Sequence, residues 1–141
     1  MAHRCRPKEA LVAEAAQAAF GDLDLLLAEF DTAHGDHDTA RGTLVDFYLS
    51  AEHRDQPGTG CPTAGFAGDM ARQPTAGEVR ETYAAGVAEF AAWLSTDADD
   101  GLPKVATLVG AILLARATAG TELSEKILES THKALTAPHG P

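Results

Sequence analysis

Three histidines are the side chains of this sequence best suited to hold a metal ion. His34 and His37 stand three residues apart with Asp36 and Asp38 beside them, and His53 follows further along. Imidazole and carboxylate groups together bind zinc and similar divalent ions. The spacing falls on a Gly-containing polar segment, which is typical of a solvated loop, so we assign no metal and no cofactor. A small helical metal-binding protein or enzyme using these histidines is the alternative function.

Cys61 is the other residue with reactive chemistry. It stands between Gly60 and Pro62, and proline is favoured in the first turn of a helix, which places the thiol at a predicted helix start. A cysteine in such a position can react with oxidants or electrophiles. A small buried hydrophobic residue is the competing interpretation. No nucleophile–base, phosphate-loop or zinc-protease motif occurs, so we expect no enzyme activity.

A set of aromatic and apolar side chains predicts a ligand pocket. Tyr48 and Tyr83 are its most informative members, because a hydroxyl in an apolar cavity can orient a ligand. Ordinary core packing is the competing interpretation for the set as a whole. The predicted pocket residues are Phe47, Tyr48, Phe66, Met70, Tyr83, Val87 and Phe90.

Composition limits the kinds of protein that this chain can be. Its 141 residues suffice for one domain with a core, and 45% of them are hydrophobic. Abundant alanine with few aromatic or β-branched residues favours an all-α fold. The net charge of −10 argues against nucleic-acid binding by this chain alone. The longest apolar run, residues 105–115, is too short to span a membrane, and we expect a cytoplasmic protein.

Hydrophobic periodicity predicts six helices and no sheet. Gly21 and Asp22 can interrupt the first helix, whereas Thr75 with Glu78 forms a capping box and Thr121 starts the last helix. We expect residues 1–7 to be a basic remnant or a disordered N-terminus, residues 8–136 to form the domain, and residues 137–141 to be a frayed tail. The predicted helices cover approximately residues 7–30, 39–51, 62–72, 75–94, 103–119 and 121–135.

The last two predicted helices form a hairpin with a long apolar stripe. Leaving such a stripe in water is costly, since each buried Leu or Ile contributes roughly 1.5–3 kcal/mol. We therefore expect a second copy of the chain to cover it, although a hairpin that packs on its own domain remains open. The predicted interface residues are Val105, Leu108, Val109, Ile112, Leu113, Leu123, Ile127 and Leu128.

The order of these features resembles the C-terminal ligand-binding and dimerisation domain of TetR-family transcriptional repressors. The matching segments are Lys8-Glu9-Ala10-Leu11, the loop from Arg54 to Pro62, and the stretch from Thr107 to Leu128. The resemblance covers about residues 8 to 135. Before it, Cys5 and Pro7 depart from the family pattern, so the DNA-binding head is expected to be missing.

The resemblance implies a function with two parts. The last two helices would pair with those of a second chain in a four-helix bundle, giving a homodimer. The helices up to Trp93 would enclose a pocket for a small, mostly apolar or aromatic effector. The expectation is a small-molecule-sensing dimerisation domain of a transcriptional regulator, with no membrane partner.

Overall fold

The computed structural model describes residues 8–74 and 77–138, and the fold of this part is all-α, as predicted. No strand occurs among these residues. Residues 1–7, the predicted cap Thr75 and the end of the predicted tail at 139–141 lie outside the described residues. The helices are α1 (Lys8–Ala33), α2 (His37–Tyr48), α3 (Ala51–Asp55), α4 (Pro62–Gly65), α5 (Ala67–Ala71), α6 (Glu78–Leu94), α7 (Gly101–Ala117) and α8 (Glu122–Thr136), with a 3₁₀ turn at Pro57–Thr59.

The predicted count of six helices is wrong for two reasons: the helix predicted at 62–72 is divided into α4 and α5, and the short helix α3 lies almost entirely outside the predicted helices, after the one predicted at 39–51 has ended at Tyr48. The N–H of Leu49 bonds back to the Val45 carbonyl at 3.1 Å and closes α2. The Ser50 hydroxyl then accepts the N–H of His53 at 3.1 Å and caps α3. The division between α4 and α5 falls at Phe66, next to Gly65, where helix propensity is low.

Local chemistry explains most of the other boundaries. α1 runs unbroken through Gly21, contrary to the interruption that we considered. α7 begins at Gly101 rather than at Pro103, because the Asp100 side chain accepts the N–H of Leu102 at 2.9 Å. α8 begins directly after Thr121, close to the predicted start, and the Thr121 hydroxyl caps it by accepting the Ser124 N–H at 3.3 Å.

Four long helices form the body of the fold. α1 packs along α6, α6 against α7, and α7 against α8, while α2 contacts α1, α7 and α8. Two glycines permit close approaches in this arrangement. A Cβ at Gly86 would collide with the Phe20 ring of α1, and one at Gly101 would collide with the Ala91 carbonyl oxygen of α6. The helix pairs therefore sit closer than a side chain at either position would allow.

The apolar side of the α7–α8 hairpin lies in the core of this same chain. Val105, Leu108, Ile112 and Leu128 are between 0% and 5% exposed and pack with the buried residues of α1, α2 and α6. They are therefore covered without a second copy. These four were predicted to form a dimer interface; in the single chain they pack in its own core, because this stripe of the hairpin faces inward.

A membrane-spanning helix is also absent from the described residues. None of the helices there has both the length and the apolar character needed to cross a bilayer.

Candidate functional site

A cavity of about 170 Å³ lies between α1, α2 and the segment that follows α3. Here it is called the α1–α2 cavity. Helix α1 supplies Ala19, Asp22, Leu23 and Leu26, and α2 supplies Leu44, Phe47 and Tyr48. His53 and residues 58–62 complete the wall. Most of this lining is apolar, and Asp22 is an exposed carboxylate among it.

His53 holds the wall of the cavity together. Its side chain is buried, and the Cys61 N–H donates to Nε2 at 3.1 Å. Because Nε2 accepts, the ring proton resides on Nδ1, which donates to the Tyr48 carbonyl at 2.7 Å. Burial lowers the pKa of His53, and the nearby Arg116 lowers it further, against the opposing effect of the Tyr48 carbonyl. His53 is therefore a neutral cross-link between α2 and the start of α4.

Gly60 fits this wall because it has no side chain. A Cβ there would lie 2.7 Å from Arg116 Nη2 and 2.9 Å from His53 Nε2. The N–H of Gly60 donates to the Pro57 carbonyl at 3.2 Å and closes the 3₁₀ turn. The segment therefore passes tightly over two polar side chains before it enters α4.

Two arginines connect the cavity wall to α7 and α8. Arg116 of α7 donates through Nη2 to the His53 carbonyl at 2.9 Å and through Nε to the Arg54 carbonyl at 3.2 Å. Arg54 in turn donates to Ser124 Oγ at 3.2 Å and to Glu125 Oε1 at 2.6 Å. The C-terminal end of α3 is thus bonded to both helices of the hairpin.

Tyr48 is the most deeply buried of the lining residues that carry a hydroxyl. It is 2% exposed, and the Cys61 thiol is the polar side chain beside its hydroxyl. Its ring stacks on Phe90, with centroids 6.1 Å apart, and meets His53 edge-on at 4.6 Å. Burial, followed by the nearby Cys61 thiol, raises the pKa of Tyr48 well above its ordinary value. The hydroxyl is therefore neutral.

The predicted pocket residues do not form a single cavity. Phe47 and Tyr48 line the α1–α2 cavity, and Phe90 is core beneath Tyr48. The other four residues do not line this cavity. Phe66, Met70 and Tyr83 belong to a separate apolar cluster, where α5 and the first half of α6 meet the N-terminal half of α1. Val87 packs on the main core, and Tyr83 contacts both groups.

Tyr83, one of the two hydroxyls singled out from the sequence, already has a partner. It donates to the Thr63 carbonyl, and its ring meets Phe20 edge-on at 5.8 Å. It does not line the α1–α2 cavity, so of the two tyrosines only Tyr48 stands where a ligand could lie.

Sequence reasoning missed the α1 side of the cavity. Ala19, Leu23 and Leu26 were recognised only as an apolar helical face, and Asp22 only as a possible helix break. Such periodicity identifies a buried face without saying whether a cavity lies under it. The useful signals were the aromatic pair Phe47 and Tyr48 and the segment Gly60-Cys61-Pro62, all of which line the cavity.

The three histidines do not come together as a metal site. His37 contacts Asp31 and the Trp93 carbonyl, His34 stacks on Phe30, and His53 has both ring nitrogens engaged with main-chain groups. No group of three His, Cys, Asp or Glu side chains is placed to hold a metal anywhere in residues 8–74 and 77–138. The metal alternative that used His34, His37 and His53 therefore finds no site in this structure.

Cys61 is 8% exposed and lines the cavity. Its N–H donates a hydrogen bond to His53 Nε2. Its thiol lies near the hydroxyls of Tyr48 and Tyr83, and this proximity adds to burial in raising the pKa of both tyrosines. The residue thus has a packing and hydrogen-bonding role, and its reactivity toward oxidants stays a prediction.

A second feature is an open apolar groove on the outer side of the hairpin, called here the α7–α8 groove. Its lining includes Ala106, Gly110, Leu114, Leu123 and Ile127. Leu114 is 58% exposed and Leu123 is 55% exposed. Of the predicted interface residues, Leu123 and Ile127 lie here, Leu113 is exposed on α7, and Val109 is half-buried.

No protein-family model matches this sequence, and no curated protein matches it. The two features from which a function can be inferred are therefore the α1–α2 cavity and the α7–α8 groove.

Proposed function

We propose that this chain is the effector-binding and dimerisation domain of a TetR-like transcriptional regulator. The observation that carries the proposal is the α1–α2 cavity, which is bounded by the Gly60-Cys61-Pro62 segment. That segment is also among the residues on which the resemblance rests. An effector in this cavity would contact α1, α2 and the loop before α4 at once.

The composition of the cavity wall favours a small, mostly apolar effector. Leu23, Leu26, Leu44 and Phe47 offer apolar surface, and binding sites of this kind use few polar groups to set orientation. A ligand that fills the space would replace weak contacts across a void with close packing.

The α7–α8 groove supports the dimerisation part of the proposal. Leu114 and Leu123 leave more than half of their surface in water, beside the small residues Ala106 and Gly110. Small residues allow the backbones of two helices to approach closely, and covering the leucines would stabilise the pair. A second copy would bring its own groove to the same place, as a two-fold interface requires.

The test measures the oligomeric state of the protein and the binding of a small aromatic probe in the α1–α2 cavity. Native mass spectrometry of untagged protein should give a dimer, and titration with toluene should shift the NMR signals of residues around the cavity. Ala19→Leu, which adds three carbon atoms inside the cavity, should abolish those shifts. Ala28→Leu makes the same change at an exposed position of α1 and should leave them unchanged.

Two results would overturn the proposal. One is a protein that stays monomeric at every accessible concentration. The other is a toluene response that Ala19→Leu and Ala28→Leu affect equally, because that response would not come from the α1–α2 cavity.

A further inference from the structure

His37, the first residue of α2, faces a hydrogen-bond acceptor at each of its ring nitrogens. Nδ1 lies 2.5 Å from Asp31 Oδ1 of α1, and Nε2 lies 2.8 Å from the Trp93 carbonyl oxygen of α6. A neutral imidazole carries one N–H, and only the protonated ring donates from both nitrogens. The full set of contacts therefore requires the cationic ring, because a neutral ring turns a lone pair toward one of the two acceptors.

The C-terminal end of α6 favours a positive charge at this place. Trp93 is the last residue but one of α6, so its carbonyl is among the four for which the helix itself supplies no N–H. Partial negative charge accumulates at this end of a helix and attracts cations. The last turn of α6 contains no basic residue, so His37 supplies the donor from a different helix.

The other charges near the ring act in both directions. Asp31 attracts a cationic ring, and so do the two carboxylates beside it in the sequence. Arg41 and the start of α2 itself oppose a second positive charge, although Arg41 is paired with Asp38. The titratable and charged groups of this region, apart from His37, are Asp31, His34, Asp36, Asp38 and Arg41.

Solvent protons reach this ring directly, because the side chain of His37 is 41% exposed. When the second proton leaves, one N–H remains. We expect it on Nδ1, since a hydrogen bond to a charged carboxylate is stronger than one to a neutral carbonyl. The contact that is lost is then the one from Nε2 to the Trp93 carbonyl, which connects α2 with α6.

We propose that His37 is a proton-dependent link between α2 and α6. With both ring nitrogens protonated it holds Asp31 and the Trp93 carbonyl together, and with one proton it stays on Asp31 and releases the carbonyl. Histidine is the side chain whose charge ordinarily changes between about pH 5 and about pH 8, so the link responds to pH in this range. It involves no residue of the α1–α2 cavity or the α7–α8 groove and does not depend on the proposed function.

NMR spectroscopy of the full chain tests the link directly. Long-range ¹H–¹⁵N spectra show which ring nitrogens carry protons, and we expect both in His37 at about pH 6 and only Nδ1 at about pH 9. The carbonyl carbon signal of Trp93 should move over the same pH range as the ring signals. The Ala92 carbonyl is the matched reporter, because it accepts the Ser95 N–H at 3.2 Å and should keep its signal.

Urea denaturation tests whether the link stabilises the fold. The second hydrogen bond exists only in the folded chain with a protonated ring, so its contribution is complete below about pH 6.5 and is lost as the pH rises. The unaltered chain should therefore exceed His37→Gln in urea midpoint by more at pH 6 than at pH 9. His34→Gln is the control, since it removes the same titrating group three residues away from a ring that stacks on Phe30, and its difference should change much less.

Three results would overturn the link. The first is a His37 ring that keeps its proton on Nε2 at pH 9, because the Trp93 carbonyl would then retain its donor. The second is a Trp93 carbonyl signal that does not follow the ring. The third is equal pH dependence in His37→Gln and His34→Gln. The NMR spectra need no variant, so the test remains decisive even if His37→Gln fails to fold.

Discussion

His37 joins three helices through both of its ring nitrogens. Nδ1 lies 2.5 Å from Asp31 Oδ1 of α1, and Nε2 lies 2.8 Å from the Trp93 carbonyl of α6. The Trp93 indole N–H donates to the other Asp31 oxygen at 2.9 Å. The hydrogen bond from His37, followed by that from Trp93, lowers the pKa of Asp31 from its ordinary value of 3.8.

The lowered pKa of Asp31 predicts an acid-sensitive contribution to stability. Because the folded pKa lies below the unfolded one, the contribution is complete above pH 3.8 and is lost as the pH falls through the folded pKa. Relative to Asp31→Asn, the free energy of unfolding of the unaltered chain should therefore stay constant from about pH 7 to about pH 5 and decrease as the pH falls from about 5 to about 2. Urea denaturation at a series of pH values measures this difference.

Asp24→Asn is the control for this experiment, since it removes an exposed carboxylate from the same helix. Its difference from the unaltered chain should change much less over the same pH range. Equal pH dependence in the two variants would show that the contacts of Asp31 do not supply the effect.

Single residues also show how far the sequence could predict the site. His53 and Cys61 were recognised as chemically notable, yet the hydrogen bond that joins them and their place in the cavity wall were not foreseen. The partners of His53 are main-chain groups of Tyr48 and Cys61, five and eight residues away, and Arg116 reaches its carbonyl from α7. Residue type and spacing do not specify such contacts, because they depend on how α3 turns back onto α2.

At the scale of single helices, the cap of α8 gives a direct test. The Thr121 hydroxyl accepts the Ser124 N–H and donates to the Thr118 carbonyl at 2.7 Å. Thr121→Ala leaves a donor of the first turn unsatisfied and should lower the free energy of unfolding by about 1 kcal/mol. Chemical denaturation monitored by circular dichroism measures the change.

Thr136→Ala provides the comparison, because Thr136 lies at the other end of α8 and its hydroxyl bonds only back to the His132 carbonyl, at 2.7 Å. We expect a change close to zero or slightly stabilising, since alanine has the higher helix propensity. The interpretation of Thr121 as a cap is wrong if both variants lose the same stability.

Helix ends were predicted well where the sequence carries a clear capping signal and poorly where it does not. Thr121 follows a glycine and precedes an acidic first turn, and the start of the last helix there was predicted correctly. The new helix that begins after Ser50 was not predicted, because a serine near the end of an apolar periodic segment is a weak signal until its hydroxyl is seen to accept the His53 N–H.

At the scale of the whole molecule, periodicity correctly identified the apolar stripe on α7 but not what covers it. Val105, Leu108 and Ile112 are covered by this chain's own helices. The surface left for a partner is the α7–α8 groove, on the opposite side of the hairpin. A helical stripe gives the direction of burial within one helix, and only the packed structure shows which neighbour supplies the contact.

A charge in the groove should prevent the proposed dimer. Leu114→Glu places a carboxylate where two grooves would meet, so we expect a monomer with unchanged helix content, because Leu114 is 58% exposed in the single chain. Leu25→Glu introduces the same charge at a position of α1 that is 66% exposed and lies outside the groove. Sedimentation velocity should show a dimer for Leu25→Glu and for the unaltered chain. A dimer that survives Leu114→Glu would place the interface elsewhere.

The contact between Gly86 and Phe20 has an evolutionary consequence. Every other residue that mutation can place at position 86 carries a Cβ into the Phe20 ring, whereas a Cβ at Gly21, one residue away from that phenylalanine, meets open space. Selection should therefore remove substitutions of Gly86, whereas substitutions of Gly21 meet no such steric barrier. Descendants that keep the pairing of α1 with α6 are bound to glycine at position 86, while position 21 is free to drift.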